Sequence, residues 1–382
     1  MRILLVGEYS RLHNSLKEGL QKLGHEVILV SSGDDFKNFE SDFSVKSNFF
    51  SSYWFTKKVR NGLKKIIQFD LEKVERAIRF YFLLPKLKGF DHVQFINSDA
   101  LELNPKISLF FYKKLKHQNK QLSLLICGDE PPVIDYLLKN ELNYSIVSPY
   151  LNDHSLKKEF RFSLKYLQPN YKMIFNWLKE NTKKLIVSDL DYKIPMERMN
   201  YVVNFIPNPI NTDKITFTAL EINDKVIIFL GINRLSNIKK GIRFFKEALA
   251  IIEKKYANQV EIIVTENIPY QQYIELYNKA HILLDQVYAY DQGYNALEAM
   301  AKGKVVFTGA EKEFTEQYQI TERVAVNAMP DVTDLVKELS FLIENPQEII
   351  EIGKRARLFI EKEHDYIKIA ERYLDKWDKN KF

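Results

Sequence analysis

Two basic side chains in the second half of the sequence follow a glycine at the end of an apolar run. Residues 226–230 predict a buried strand, and Gly231 comes directly after them. Arg234 and Lys240 lie in the loop that precedes the next predicted helix. In an open α/β sheet, ligands bind beyond the carboxyl ends of the strands. A guanidinium and an ammonium placed there could neutralise a departing diphosphate without a metal ion, so we predict a diphosphate site at this loop.

A second stretch, residues 288–303, combines a polar start with strong helix formers. The N-terminus of a helix attracts anions through its free N–H groups and its dipole, and a glycine there lets a ligand approach the backbone. Glu298 lies one turn beyond Tyr294, where a carboxylate suits the two hydroxyls of a ribose. The residues of this stretch that we predict to bind a nucleotide donor are Asp291, Gln292, Gly293, Tyr294, Asn295 and Glu298.

The elements that must position these residues form the same pattern twice. The first half opens with a predicted strand at 3–6, a helix at 15–23 and another strand. The second half restarts at residue 226 with strands and helices that alternate as far as residue 308. Such alternation predicts parallel α/β sheets, and the Pro/Asn-rich segment 204–209 is the natural junction between the two units. The last 25 or so residues predict one amphipathic helix that ends at Trp377.

Composition narrows the class of protein. The chain has 382 residues, of which 46 % are hydrophobic and 28 % are charged, as in globular proteins large enough for two domains. Its single cysteine, Cys127, excludes a disulfide framework and argues against a cysteine-based zinc site. No run of about 18 apolar residues predicts a membrane span. We expect a cytoplasmic protein that needs neither a metal ion nor another cofactor.

Positive charge is concentrated in the first half of the chain. Residues 1–210 carry more Lys and Arg than Asp and Glu, whereas residues 211–382 carry slightly more acid. The segment 51–90 has ten basic residues against three acidic ones, and aromatic residues are interleaved with them. Such a segment either lies on an anionic membrane surface or is a solvated helix face whose aromatics pack inward. No nucleic-acid-binding motif accompanies the charge, so we do not expect a nucleic acid as a partner.

The glycine-bearing segments 231–241 and 293–303 resemble the C-terminal domain of the retaining family 4 glycosyltransferases, and the tail 352–377 resembles the closing helices of that family. The resemblance implies an α/β protein of the GT-B fold, in which two Rossmann-like domains face each other across a cleft. It also implies a C-terminal helix that crosses back to the N-terminal domain. We accordingly predict an acceptor-binding domain at 1–205, a nucleotide-sugar-binding domain at 206–362 and the crossing helix at 363–382.

The resemblance also implies roles for residues of the C-terminal half. Arg234 and Lys240 match the pair that binds the donor diphosphate, and Gly293 matches the glycine whose backbone faces the phosphate and the sugar. Glu298 matches the second acid of the family's Glu-x7-Glu motif, which holds the ribose. The first acid of that motif should stand at 290. Tyr290 occupies this position instead, and the adjacent Asp291 is the residue that could replace the acid.

Further residues come from the N-terminal half, where the family has a Gly-Gly loop and often a histidine after its fourth strand. Here the loop has one glycine, Gly7, and residues 124–132 occupy the place of the histidine. Asp129 is the nearest polar side chain for contacting the sugar, so we group it with Arg234 and Lys240 as catalytic. Gly7 and Gly231 join the donor-binding residues, and the acceptor-side candidates are Glu8, Arg11 and His13.

The expected function is transfer of a hexose-type sugar from a nucleotide diphosphate to a glycan or lipid-linked acceptor, with retention, in the synthesis of cell-surface polysaccharide or glycolipid. An anionic membrane surface is a further expected partner, through the segment 51–90, at the inner face of the membrane. Two alternatives remain: a non-catalytic nucleotide-sugar-binding partner protein of the same fold, and a nucleotide-sugar epimerase. Asp189-Leu190-Asp191 resembles the metal motif of the other glycosyltransferase fold, but it stands just before the domain junction, so we interpret it as a chance match.

Overall fold

The computed structural model describes residues 1–34, 39–52, 70–182, 184–268 and 270–378, and within them the chain forms two parallel β-sheets. One sheet has seven strands in the order β3-β2-β1-β4-β5-β6-β7, and the other has five in the order β12-β11-β10-β8-β9. The strands of the first sheet are β1 Arg2–Val6, β2 Glu26–Ser31, β3 Phe43–Ser44, β4 His92–Phe95, β5 Gln121–Ile126, β6 Leu185–Val187 and β7 Val203–Phe205. Those of the second are β8 Val226–Ile232, β9 Val260–Glu266, β10 Ile282–Leu284, β11 Val305–Thr308 and β12 Val326–Asn327.

Helices join most successive strands, as is usual for parallel pairing. Several begin at a side chain that accepts a backbone N–H of the first turn, among them Asn104 and Asp331. The helices are α1 Leu12–Lys22, α2 Phe49–Ser52, α3 Leu71–Leu83, α4 Pro105–Gln118, α5 Pro131–Leu137, α6 Ser148–Asn152, α7 Arg161–Leu164, α8 Pro169–Asn181, α9 Leu190–Arg198, α10 Ile242–Lys255, α11 Tyr270–Lys279, α12 Tyr294–Ala301, α13 Lys312–Tyr318, α14 Val332–Glu344, α15 Pro346–Glu363 and α16 Tyr366–Trp377.

Each sheet is the centre of its own hydrophobic core. We call the unit around the seven-stranded sheet the N-terminal domain and the unit around the five-stranded sheet the C-terminal domain. Strands β1 and β8 are apolar on both faces, because helices cover both sides of each sheet. The predicted alternation of strands and helices is confirmed in both halves. The predicted boundaries at residues 205/206 and 362/363 stay predictions.

The end of the chain differs from the single terminal helix that the sequence predicts. Helix α15 ends at Glu363, and α16 begins at Tyr366, with two residues between them. Asp365 starts the new helix by accepting the N–H groups of Ile367 and Lys368. The chain pairs here with the interdomain linker, residues 206–225, which joins β7 to β8: Ile210 N–H donates to His364 O at 2.7 Å, and Tyr366 N–H donates to Ile210 O at 3.2 Å. The linker at Ile210 and the chain at residues 364–366 are therefore held side by side.

Helix α16 packs on the N-terminal domain. A Cβ atom at Gly19 of α1 would lie 2.2 Å from Tyr366 O, so the absence of a side chain allows the two helices to touch. At the far end of α16 the Trp377 ring stacks on His92 of β4, with 4.3 Å between the ring centroids. The last helix thus belongs to the core of the first domain, as the predicted fold requires.

Candidate functional site

The predicted donor residues lie at the carboxyl ends of neighbouring strands in the C-terminal sheet. Leu230 of β8 pairs with Leu284 of β10, which in turn pairs with Phe307 of β11. The loops that follow β8 and β10 therefore start side by side. They are also joined directly, because Val287 N–H donates to Lys240 O at 3.1 Å. The fold brings the two stretches that the sequence singles out to one edge of one sheet.

Lys240 is anchored to a buried carboxylate that the sequence analysis missed. Its Nζ donates to Asp285 Oδ1 at 2.7 Å, and Asn295 Nδ2 donates to the same oxygen at 3.0 Å. The Asp285 side chain is only 2 % exposed, whereas that of Lys240 is 32 % exposed and can still reach a ligand. Asp285 comes directly after the apolar strand β10, and that position was the signal that could have identified it. The pair ties the Lys240 loop to the first turn of α12.

The Arg234 side chain lies on the side of β8 that is opposite to Lys240. Its side chain is 74 % exposed and forms an ion pair with Glu266 at the end of β9. Since β8 lies between β9 and β10, Arg234 and Lys240 sit toward opposite sides of the β8 end. An exposed ion pair contributes little stability, at most about 1 kcal/mol, so a phosphate could replace Glu266 as the partner of Arg234 at small cost. The structure does not bring Arg234 and Lys240 together through a shared protein contact.

Gly293 precedes the first turn of α12 and presents bare backbone. Its φ of −73° suits any residue, and no side chain caps the helix. A Cβ atom built at Gly293 would meet only Gln286 Nε2, at 3.9 Å, so the space above this residue is open. Open space in front of a helix N-terminus is where an anionic group can approach backbone N–H groups. A phosphate or sugar bound in the way predicted for Gly293 would occupy this space.

The side chains on either side of Gly293 are engaged by protein. Asp291 is buried and accepts Leu190 N–H from the N-terminal domain at 3.2 Å. Gln292 is buried and donates to Gly309 O at 2.6 Å. Tyr294 hydroxyl donates to Pro209 O in the interdomain linker, and burial raises the pKa of that hydroxyl. These three side chains connect parts of the protein, so a donor could meet their backbone but not their polar tips in this arrangement.

Glu298 lies half-buried on α12, one turn after Tyr294. Its charge lies near enough to Tyr294 and to Lys302 to affect the pKa of both. Glu298, the predicted ribose carboxylate, is thus on the same short helix that Gly293 precedes.

Gly231 lies within β8 and would have a Cβ atom 2.8 Å from the Tyr273 ring, so close packing explains this glycine without a ligand.

The N-terminal candidates surround the turn after β1. Gly7 has a φ of +88°, and a Cβ atom there would lie 2.5 Å from Ile96 Cγ2, so only glycine fits this turn. Glu8 is buried, accepts two hydrogen bonds from Asn14 at 2.7 and 2.8 Å, and has its pKa raised to about 8 by burial. Arg11 is partly exposed and pairs with Glu18 at 3.4 Å. Of the predicted acceptor-side residues, Arg11 is therefore the one with an accessible side chain.

His13 is fully buried behind the same turn. Its Nδ1 lies 2.7 Å from Gly7 O, and since a carbonyl only accepts, Nδ1 must carry the proton. Burial lowers the pKa of His13 to about 3, so the ring is neutral and Nε2 can accept from Gln94 Nε2 at 3.2 Å. His13 holds the turn in place from inside and does not open to the cleft.

A further polar cluster follows β4 and β5, and of its residues the sequence analysis identified only Asp129. Glu130 is fully buried and accepts Ser98 N–H at 2.6 Å, and burial raises the pKa of its carboxyl to about 8. Asp99 pairs with Lys165 at 2.8 Å. The predicted Asp129 is half-buried, and its backbone oxygen accepts from Asn97 Nδ2 at 2.9 Å. Polar residues directly after two apolar strands were the signal that could have identified this cluster.

The two domains touch at the predicted phosphate loop. Lys239 Nζ donates to Ser163 Oγ at 2.7 Å and lies 5.4 Å from the centroid of the Phe160 ring. The residue next to Lys240 is thus held by the N-terminal domain.

Within the described residues no group of three or more His, Cys, Asp or Glu side chains could hold a metal ion. The same part of the chain contains no helix long and apolar enough to cross a bilayer.

A family model described as "Glycosyl transferase-like" matches residues 239–375, which include Lys240, Gly293 and Glu298. No curated protein sequence matches the chain significantly. The family match falls on the C-terminal domain and the crossing helix, which is the part of the chain that carries the predicted donor residues.

Solved structures match the chain over its whole length. Sucrose-phosphate synthase from Thermosynechococcus elongatus superposes with a TM-score of 0.64 at 15 % identity, covering 99 % of this chain and 98 % of that one. Anabaena HepE in complex with UDP and glucose gives 0.58 at 13 % identity, covering 98 % and 99 %. WaaG, a glycosyltransferase involved in lipopolysaccharide biosynthesis, gives 0.54 at 14 % identity, covering all of both chains. The predicted GT-B fold is confirmed by these likenesses.

Proposed function

We propose that the protein is a glycosyltransferase that moves a hexose-type sugar from a nucleoside diphosphate to a glycan or lipid-linked acceptor. The observation that carries the proposal is the convergence of Lys240, the open backbone at Gly293 and Glu298 at one edge of the C-terminal sheet. The "Glycosyl transferase-like" match over residues 239–375 supports it. So does the likeness to HepE, whose structure holds UDP and glucose.

Transfer with retention is what the family resemblance implies, and the acids near this edge favour front-side displacement over a covalent intermediate as its route. Asp285 is occupied by Lys240, and Asp291 accepts hydrogen bonds from Leu190 and Gln292. Neither carboxylate is placed to attack the sugar and form a covalent intermediate. In a front-side displacement the acceptor hydroxyl attacks on the side from which the diphosphate leaves. Lys240 and Arg234 would stabilise the charge that grows on the leaving group.

The remaining residues would bind and enclose the donor. N–H groups near Gly293 would hold the phosphate or the sugar, and Glu298 would accept the ribose hydroxyls. The acceptor would lie against the N-terminal domain near Arg11 and Asp129. Contact between the domains, such as that of Lys239 with Ser163, would exclude water and align the acceptor hydroxyl. We place this reaction in the synthesis of cell-surface polysaccharide or glycolipid.

The experiment that tests the function begins with UDP, GDP and ADP. We expect one of them to raise the melting temperature by several degrees at 100 times its Kd, because such an excess stabilises the folded state by about 2.7 kcal/mol. The matching labelled nucleotide sugars are then incubated with the protein, and the anomeric configuration of the product is read by NMR. Release of nucleotide with the donor configuration kept supports the proposal. An isomerised nucleotide sugar would indicate an epimerase, binding without turnover a non-catalytic partner, and no binding at all would overturn the proposal.

We further propose that the N-terminal domain rests on the cytoplasmic face of an anionic membrane. Residues 53–69 of the predicted basic segment 51–90 lie outside the described residues. The described part adds a second helix to the surface, because Phe80 of α3 packs on Phe111 of α4 with 4.9 Å between ring centroids. The two helices and the turn that follows α3 expose a set of apolar and basic side chains that we call the basic–aromatic face: Ile78, Tyr81, Phe82, Lys86, Lys88, Lys106, Ile107, Phe110, Lys113 and Lys114.

Replacing Lys113 and Lys114 by glutamine should weaken binding to vesicles rich in phosphatidylglycerol. Each lysine near an anionic surface contributes about 1 kcal/mol, so the double variant should bind about 30-fold less tightly in co-sedimentation. Leu358→Ser, which changes an exposed apolar residue of α15 in the other domain, is the control and should bind like the wild type. Equal binding of the wild type to phosphatidylcholine vesicles, or no effect of the double variant, would contradict the membrane proposal.

A further inference from the structure

Two aspartates from different domains each accept a backbone N–H group from the segment that carries the other aspartate. Asp191, in the first turn of α9, accepts Tyr290 N–H at 3.0 Å and Asp291 N–H at 3.4 Å. Asp291, in the loop before α12, accepts Leu190 N–H at 3.2 Å with its Oδ2 and Gln292 N–H at 2.8 Å with its Oδ1. The end of the N-terminal domain and the start of the proposed donor site therefore cap one another. We call this contact the aspartate clasp.

The clasp acts on the three residues that lead into Gly293. Tyr290, Asp291 and Gln292 are 1–3 % exposed, so this segment is enclosed on all sides. Gly309 of the C-terminal domain supports one side, since a Cβ atom there would lie 2.5 Å from Asp291 O. Helix α9 supports the other side, because Leu190 packs in the core of the C-terminal domain. The direction in which Gly293 and the first N–H groups of α12 point depends on both supports.

The clasp also brings three carboxyl groups close together. Asp189, Asp191 and Asp291 are close enough to affect one another, and Asp189 Oδ1 is buried without a hydrogen-bond partner among the described residues. Burial raises the pKa of Asp191 to about 7 and that of Asp291 to about 6, and it raises the pKa of Asp189 strongly. None of the three forms an ion pair with a described cation. The titratable groups that lie near these aspartates are Cys127 after β5, Tyr192 of α9, Tyr290 of the clasp itself and Tyr318 of α13. The charges of Arg372 on α16 and of Glu363 also affect the pKa of the Tyr318 hydroxyl.

We propose that Asp191 is a positioning residue for the donor site: from the N-terminal domain, its carboxyl group fixes the backbone that presents Gly293 and the first turn of α12 to the nucleoside diphosphate. The inference rests on the proposed function. It deepens that function because the donor site is then completed by the opposite domain. A nucleotide would bind best when the domains are together, and separation of the domains would release the loop.

The sign of the pH dependence follows from the raised pKa values. A carboxyl whose pKa is higher in the clasp than in solvent favours the clasp at low pH, and this contribution is lost as the pH rises through about 6 to 7. Nucleotide affinity of the wild type should therefore fall between pH 6 and pH 8. Asp191→Asn cannot ionise and keeps only one of the two acceptor oxygens, the one for Tyr290 N–H, so its nucleotide affinity should fall less with pH than that of the wild type. Comparing the two proteins cancels the titration of the phosphate itself.

The test measures binding of UDP, GDP and ADP by calorimetry to the full chain. Asp191→Ala leaves two buried N–H groups without an acceptor, and we expect binding about 10- to 100-fold weaker. Asp331→Ala is the matched control, because Asp331 likewise accepts two N–H groups, those of Thr333 and Asp334, but at the start of α14. It should lower the melting temperature without changing nucleotide affinity.

Hydrogen exchange at Tyr290 and Asp291 separates this inference from the function. These amides should exchange faster in Asp191→Ala than in the wild type even when no nucleotide is present. If they do and the wild type binds no nucleoside diphosphate, the proposed function fails while the clasp stands as a domain contact. If the wild type binds nucleotide and Asp191→Ala binds it equally well, the positioning role is overturned. Should Asp191→Ala fail to fold, a pH dependence of Asp191→Asn identical to that of the wild type overturns it instead.

Discussion

Replacing Lys240 by alanine is expected to lower kcat for sugar transfer by about 100- to 1,000-fold, the usual cost of removing one group that stabilises transition-state charge. Lys240 is the partly exposed cation at the carboxyl end of β8, and it is kept in place by the buried Asp285. As the bond to the sugar breaks, negative charge grows on the diphosphate. An ammonium already oriented by a carboxylate stabilises that charge without further reorganisation.

The substitution has a second effect that the experiment must separate. Removing Lys240 leaves the Asp285 carboxylate buried with Asn295 as its remaining hydrogen-bond donor, which destabilises the fold. The double variant Lys240→Ala/Asp285→Asn removes the unpaired charge and should recover most of the melting temperature. It should not recover kcat if Lys240 acts on the diphosphate. Recovery of kcat in the double variant would show that Lys240 serves only to neutralise Asp285.

Arg234→Ala provides a comparison within the same loop. Arg234 must leave Glu266 to reach a phosphate, and its side chain is more exposed than that of Lys240. We expect a smaller loss of kcat/KM than for Lys240→Ala, with no loss of stability. Lys254→Ala, at the exposed end of α10, controls for the removal of a positive charge from the same domain and should leave kinetics unchanged.

Gly293→Val is expected to weaken nucleoside diphosphate binding by about 10- to 100-fold, since a group that can no longer reach the backbone N–H groups leaves them without that partner. The two methyl groups would occupy the open space before α12, where the phosphate or the sugar must approach backbone N–H groups. The φ of −73° at this position suits valine. Because valine is a poorer N-cap residue than glycine, the free energy of unfolding should fall by about 1 kcal/mol and no more.

The contrast with Gly309 makes this prediction specific. At Gly309 a Cβ atom would lie 2.5 Å from Asp291 O and 2.6 Å from Ala289 O, both of them buried backbone atoms. Gly309→Ala should therefore lower the melting temperature more than Gly293→Ala does. Calorimetry with UDP, GDP and ADP, together with thermal unfolding, measures both effects. Normal nucleotide binding by Gly293→Val would place the ligand elsewhere and contradict the proposed site.

Sequence alone determined the alternation of strands and helices that begins each sheet and the local form of the donor segments. The apolar run before Gly231 and the helix formers after Gly293 act through neighbours within a turn or a strand, so their consequences can be read locally. The same locality explains why Lys240, Gly293 and Glu298 could be placed beside or on a predicted helix, whereas their roles at a donor stay predictions. The break of the last helix could not be read this way, because the chain there pairs with Ile210 of the linker, which is far away in sequence.

Only the tertiary structure decided which polar side chains face the cleft. Asp285 pairs with Lys240 across 45 residues, and Asp291 turns toward Leu190 across 101 residues. The sequence analysis assigned Asp291 to the donor and His13 to the acceptor, and the fold engages both side chains in contacts inside the protein. A loop residue has no periodic neighbours to fix its direction. Its orientation follows from what packs against it, and here that partner comes from another strand or from the other domain.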